Sequence, residues 1–126
     1  MAIELNHTIV AARDREASAE FLAGILGLRV SAPYGPFLPV ETHNGVSLDY
    51  LDTGERPVTP QHYAFLVSEE EFDVIFGRIT RAGIGYYAGP GHQLPGQINR
   101  NDGGRGVYFD DPNGHSMEII TRPYGG

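Results

Sequence analysis

The chain has 126 residues, a formal net charge of −7, and 40% hydrophobic residues. That length and composition suit one compact domain, or two small modules, with a core that needs no staples. A surplus of negative charge argues against nucleic acid and anionic membrane as partners. The chain contains no cysteine, and all nine basic residues are arginine. Disulfides, thiolate metal sites, thiol nucleophiles, Schiff-base lysines and P-loop lysines are thereby excluded.

The N-terminal MAIELNHTIV lacks a basic segment followed by a long apolar run, and no stretch approaches the roughly 20 apolar residues of a membrane span. The expected location is cytoplasmic. Ile3 to Ala11 alternates and is rich in Ile, Leu and Val, which predicts a strand. From Asp14 to Leu26, Ala17, Phe21, Leu22, Ile25 and Leu26 recur at helical spacing, with Asp14 as N-cap and Gly27 in the place of a left-handed C-terminal glycine. Two further strands are expected near Arg29–Tyr34 and Phe37–Thr42, and another over Val46–Tyr50 after the Asn44-Gly45 turn.

Asp52 to Gln61 carries Gly and two prolines and reads as a linker. The same plan then repeats. His62 to Val67 is a short strand, and Ser68 with Glu71 forms a capping box ahead of a helix bearing Phe72, Ile75, Phe76 and Ile79. Gly83 ends that helix. Strands are expected near Ile84–Tyr87 and Gly106–Asp110, and a last one after the Asn113-Gly114 turn. Gly89 to Arg105 has no periodicity and reads as a long loop, of a length that is usually functional or disordered. The expectation is thus an α+β chain of strand–helix–strand–strand–strand, twice over: module 1 about 1–53, a linker about 54–60, and module 2 about 61–126.

The two halves align in detail. His7 corresponds to His62, and Asn44-Gly45-Val46-Ser47-Leu48-Asp49 corresponds to Asn113-Gly114-His115-Ser116-Met117-Glu118. Side chains alternate faces along a strand. Leu48 and Tyr50 therefore share the apolar side with Met117 and Ile119, and Asp49 and Glu118 point to the other. A lone His in an apolar strand is usually a satisfied structural residue, but a repeated His with a matched acid points to ligation. A carboxylate in mid-strand among Met117, Ile119 and Ile120 is costly unless paired.

LNHTIV (5–10), HYAFLV (62–67) and VYFDDPNGHSMEII (107–120) resemble the glyoxalase/bleomycin-resistance/dioxygenase, or vicinal oxygen chelate, superfamily. The closing YF-x-DP-x-G-x-x-x-E pattern is the most specific part. The resemblance implies paired βαβββ modules in a curled mixed sheet around a cavity, with helices outside. It implies one divalent metal ion per site, held by His7, His62 and Glu118, with Asp49 in the slot of a fourth ligand. Two imidazoles and a carboxylate suit Fe, Mn, Ni or Zn and leave positions open for a substrate with vicinal oxygens.

Glu118 and Tyr108 are the catalytic candidates; Glu118 or Asp49 could act as base if released from the metal. Tyr108, Arg100, Arg105 and His92 are candidates for contact with a small-molecule substrate. His115 is expected to be structural or exposed, and His43 exposed. The implied function is a glyoxalase-type lyase or isomerase, or a dioxygenase; the alternative is a non-catalytic, bleomycin-resistance-like binder. Fosfomycin-transferase activity is not expected, because Ile9 stands where those enzymes carry Thr and there is no lysine. A homodimer is expected, as is usual for small members of the family.

Overall fold

The computed structural model describes residues 2–124. They contain eight strands and two helices in two mixed sheets, an α+β arrangement. The chain divides between Thr59 and Pro60 into two compact units.

In unit 1, β1 (His7–Ala12) leads into α1 (Arg15–Leu26), followed by β2 (Phe37–Glu41) and β3 (Ser47–Asp52). Asp14 caps α1 by accepting from the backbone N–H groups of Glu16 and Ala17, which would otherwise lack partners at a helix start. Gly27 closes the helix at φ 75°, ψ 31°, a left-handed geometry that costs glycine nothing. The sheet order is β1-β3-β2, with β1 and β3 parallel. Val10, Ala12, Leu48, Tyr50, Leu38 and Val40 are buried with Leu22, Ala23 and Ile25 of α1.

Two expectations need correction here. The first strand starts at His7 rather than Ile3. The strand expected near Arg29–Tyr34 is reduced to isolated bridges, Val30 with Val40 and Tyr34 with Phe37. Pro33 has no N–H to give a ladder, and Tyr34 turns back on Phe37 through a reciprocal pair of backbone hydrogen bonds.

Unit 2 runs β4 (His62–Leu66), α2 (Glu69–Arg81), β5 (Tyr86–Gly89), β6 (Gln93–Pro95), β7 (Gly106–Asp110) and β8 (Ser116–Ile120). The capping box is present: Ser68 accepts from the Glu71 N–H, and Glu71 accepts from the Ser68 N–H. The order is β4-β8-β7-β5-β6, with β4 and β8 parallel. The long loop is not structureless, because it holds β6 and a 3-10 turn at Asn101–Gly103.

One face of this sheet carries Met117, Ile119, Val107 and Phe109, all fully buried. Phe76 of α2 meets Tyr86 edge-on, and Tyr86 pairs in register with Phe109, which pairs with Met117. Helix α2 therefore covers this face. Strand alternation sends His62, Glu118, Tyr108 and Tyr87 to the other. No helix among the described residues is long and apolar enough to cross a membrane.

Candidate functional site

The face of unit 2 away from α2 holds the main candidates. His62 of β4 pairs with Ser116 of β8, and Ala64 with Glu118, so Glu118 lies one strand over and two residues along from His62. That offset brings His62 Nε2 to 3.1 Å from Glu118 Oε1. The other ring nitrogen, Nδ1, lies 2.9 Å from the carbonyl oxygen of Ser116. A carbonyl only accepts, so Nδ1 carries the proton and donates to it.

In the neutral ring, Nε2 then presents a lone pair toward a carboxylate that is itself only an acceptor. Two acceptors at this separation require a proton or a cation between them. An imidazole fixed through Nδ1–H to a backbone carbonyl, with Nε2 turned to a carboxylate, is also how proteins orient a metal-binding histidine. The donor chemistry of the pair therefore fits a divalent ion.

Tyr108 stands beside them. It pairs in register with Glu118, and its ring stacks on His62 at 5.8 Å between centroids. Burial raises its pKa, and the negative charge of Glu118 and a hydrogen bond to it push the same way. Tyr108 therefore keeps its proton at neutral pH and acts as a donor.

In unit 1, His7 is exposed at the start of β1, with Nδ1 2.7 Å from Asn6 Oδ1. When the side-chain oxygen of Asn6 accepts that proton, Nε2 of His7 is left as a free lone pair. Asp49 faces the same way as Ile9, its register partner, and accepts a 2.6 Å hydrogen bond from the Ser47 hydroxyl. Among the described residues, no three or more His, Cys, Asp or Glu side chains gather in one cluster; His62 and Glu118 meet as a pair.

The arginine and histidine candidates separate. Arg105 lies on the helix side of its sheet, donating to Glu69 and Asp73 of α2 with its guanidinium 4.4 Å above the Phe72 ring. It is built into the packing of α2 and stands apart from Glu118. Its parity with Val107 and Phe109 carried that signal in the sequence. Arg100 is exposed next to the 3-10 turn. His92 bonds Asp110, at 2.6 Å, and stacks on Tyr87. Asp110 and Tyr87 were not among the sequence candidates, although both share the parity that sends Tyr108 to this face.

His115 is fully buried and structural: its Nδ1 accepts from the Gln61 N–H, and its own N–H donates to Asp111. His43 is exposed.

A family model described as the glyoxalase/bleomycin resistance protein/dioxygenase superfamily matches residues 4–119. The chain belongs to that superfamily. Within it, the solved structure of oxidase ChaP-H2 is 68% identical, with a TM-score of 0.96 over 100% of this chain and 98% of that one. Oxidase ChaP-H1 is 64% identical, with a TM-score of 0.95 over 99% and 100%. Glutathione transferase FosA of Serratia marcescens is 32% identical, covering 94% of this chain and 81% of its own. These superfamily relatives carry the names of enzymes.

Proposed function

We propose that this chain is a metal-dependent oxidase acting on a small substrate that binds through two adjacent oxygens. Its divalent ion is held by His62 and Glu118, with His7 as the third donor on the superfamily pattern. The observation that carries this reading is the His62–Glu118 pair: two acceptors 3.1 Å apart, with the imidazole tautomer fixed from behind by Ser116. Similarity to the two oxidases along essentially the whole chain favours oxidation over the lyase and transferase chemistries of other members.

A bound divalent ion supplies Lewis acidity, and iron or manganese adds redox chemistry with dioxygen. The chain's own residues do the rest. Glu118 brings negative charge that neutralises the cation and favours its retention. Tyr108 keeps its hydroxyl protonated and offers a hydrogen bond to a substrate oxygen beside Glu118. Arg100 is open to an anionic group on the substrate. Asp49 has one oxygen engaged by the Ser47 hydroxyl, which leaves it the weaker candidate for a fourth donor. Exposed Ile9 and Leu66, on the strands that carry His7 and His62, suit a homodimer contact.

Elemental analysis of protein expressed without added metal tests the reading, followed by dioxygen uptake with a panel of catechols and hydroxyquinones. One divalent ion per chain is expected, lost in His62→Ala and in His7→Ala. Metal-free protein that still binds these compounds without turnover would instead make the chain a small-molecule binder.

A further inference from the structure

The same face of unit 2 carries a second pair of titratable groups. His92 Nε2 lies 2.6 Å from Asp110 Oδ2, and the His92 ring stacks on Tyr87 at 4.4 Å and 18°. Tyr87 of β5 and Asp110 of β7 are the titratable groups packed on it. His92 Nδ1 has no hydrogen-bond partner among the described residues. His92 has positive φ, at 61°, as do Gly91 before it at 65° and Leu94 two residues on at 53°. Histidine tolerates this region better than most residues, but the conformation still costs energy. The pair that results is solvent-exposed, 59% and 38%, and exposed ion pairs contribute little to stability. The strained turn is not explained by the stability of what it builds.

The register puts this pair beside the candidate site. Tyr87 pairs with Tyr108 and Tyr108 with Glu118; Asp110 pairs with Ser116 and Ser116 with His62. Asp110 lies one strand over and two residues along from Glu118, a backbone separation on the order of 8 Å. A substrate anchored beside Glu118 and extending that far along the sheet would present to His92 an oxygen remote from its anchoring pair.

We propose that His92 and Asp110 form a proton-accepting dyad that ionises a second, acidic hydroxyl of the substrate, a phenol or an enol. The inference rests on the Glu118 face being the substrate site. Asp110 accepts the Nε2–H, which fixes the tautomer and leaves the Nδ1 lone pair as the base, the role an orienting carboxylate plays in other His–Asp pairs. The substrate O–H bond breaks heterolytically. Its electron pair stays on oxygen and its proton goes to Nδ1. Asp110 balances the imidazolium charge, and the exposed ring returns the proton to solvent. No electrons are exchanged in this step; its product is the electron-rich oxyanion that an oxidase removes electrons from.

The probe for the test is 7-hydroxycoumarin-3-carboxylate, with paired oxygens at one end and a phenol at the other whose ionisation is read by absorbance. Bound to the metal-loaded protein, its phenol should ionise about one pH unit below the free dye. His92→Gln should abolish that shift while leaving metal content unchanged, and Asp110→Asn should reduce it. A bound dye that ionises like the free one, or a shift that survives His92→Gln, overturns the dyad. Loss of metal and dye affinity in His62→Ala tests the metal reading separately. If the wild-type chain takes up neither metal nor dye, that reading falls, and the dyad is then judged by nitrogen NMR of the imidazoles. The neutral His92 ring should carry its proton on Nε2, with the preference lost in Asp110→Asn; a ring protonated on Nδ1 refutes the proposal.

Discussion

Replacing Glu118 by Gln should barely change the stability of the metal-free protein and should abolish its stabilisation by metal. The Glu118 side chain is 12% exposed, between fully buried Met117 and Ile119, and its stability role rests on the contact with His62 and the hydrogen bond from Tyr108, which a carboxamide oxygen also accepts. In the metal-free chain that contact needs a proton between two acceptors, and an exposed imidazole on one side limits its worth. A carboxamide supplies the missing donor itself, since its N–H can point at the Nε2 lone pair. Trading a partly exposed ion pair for a neutral hydrogen bond changes stability by no more than about 1 kcal/mol. With metal at about 100 times its dissociation constant, the wild type gains about 2.7 kcal/mol, because the ion binds only the folded chain. Glu118→Gln should gain little of this. Urea unfolding followed by circular dichroism, in chelator and in excess Mn(II), Ni(II) or Zn(II), reads both quantities. Equal metal shifts in the two proteins would refute the assignment. A loss of several kcal/mol in chelator would make Glu118 a structural residue instead.

Substitutions at three other positions probe the scaffold. Arg105→Ala should lower stability by about 1 kcal/mol through loss of its contact with the Phe72 ring, and Arg105→Lys should not restore it, because an ammonium lacks the planar fork that spans Glu69 and Asp73; thermal melts with unchanged metal content check this. Gly106→Ala would place a Cβ 2.8 Å from Asn99 Oδ1 and disturb the Asn99 side chain that holds the Ala88 carbonyl; a loss of about 1–3 kcal/mol by urea unfolding is expected. Tyr63 is raised above the usual tyrosine range by burial and then by the charge of Asp111. The folded state therefore keeps a proton that the unfolded chain loses, so stability falls as pH rises past the ordinary tyrosine range, and Tyr63→Phe should flatten that fall in melts taken at alkaline pH.

Where local chemistry decided the outcome, the sequence was readable. Asp14, Gly27 and the Ser68–Glu71 box act within a few residues of themselves, so the limits of α1 and the start of α2 follow from residue type and spacing. Period-two alternation sent Glu118 and Tyr108 away from the α2 side of their sheet, since Met117, Ile119, Val107 and Phe109 had to be covered. Non-local pairing was harder to read. The Arg29–Tyr34 segment has the composition of a strand, but Pro33 and the turn back to Phe37 leave only bridges. The 89–105 segment has no periodicity, so neither β6 nor the approach of His92 to Asp110 could be seen; both depend on Tyr87 pairing with Pro95. Arg105 has the surroundings of a loop residue in sequence, yet the alternation of the strand it precedes assigns it to the helix side.

The internal repeat shows how the two halves come to offer unequal side chains to the proposed site. In each unit a histidine faces a serine across a parallel pair, His7 with Ser47 and His62 with Ser116, and the acid follows two residues later on the same strand. With equal acids, each unit would carry the same His–carboxylate pair. Glu118 has the extra methylene and reaches His62 Nε2. Asp49 is shorter, and the Ser47 hydroxyl on its own strand takes one of its oxygens at 2.6 Å. One unit thus offers an imidazole and a carboxylate, and the other an imidazole whose Nε2 is not bonded to an acid. Under the proposed reading, two imidazoles and a single carboxylate would leave coordination positions free for substrate. Asp49→Glu should therefore perturb metal affinity and open-site chemistry more than Asp49→Asn does, although it makes the two halves more alike. If elemental analysis and metal titration find Asp49→Asn the more damaging change, Asp49 is itself a ligand and the asymmetry is not what sets the site.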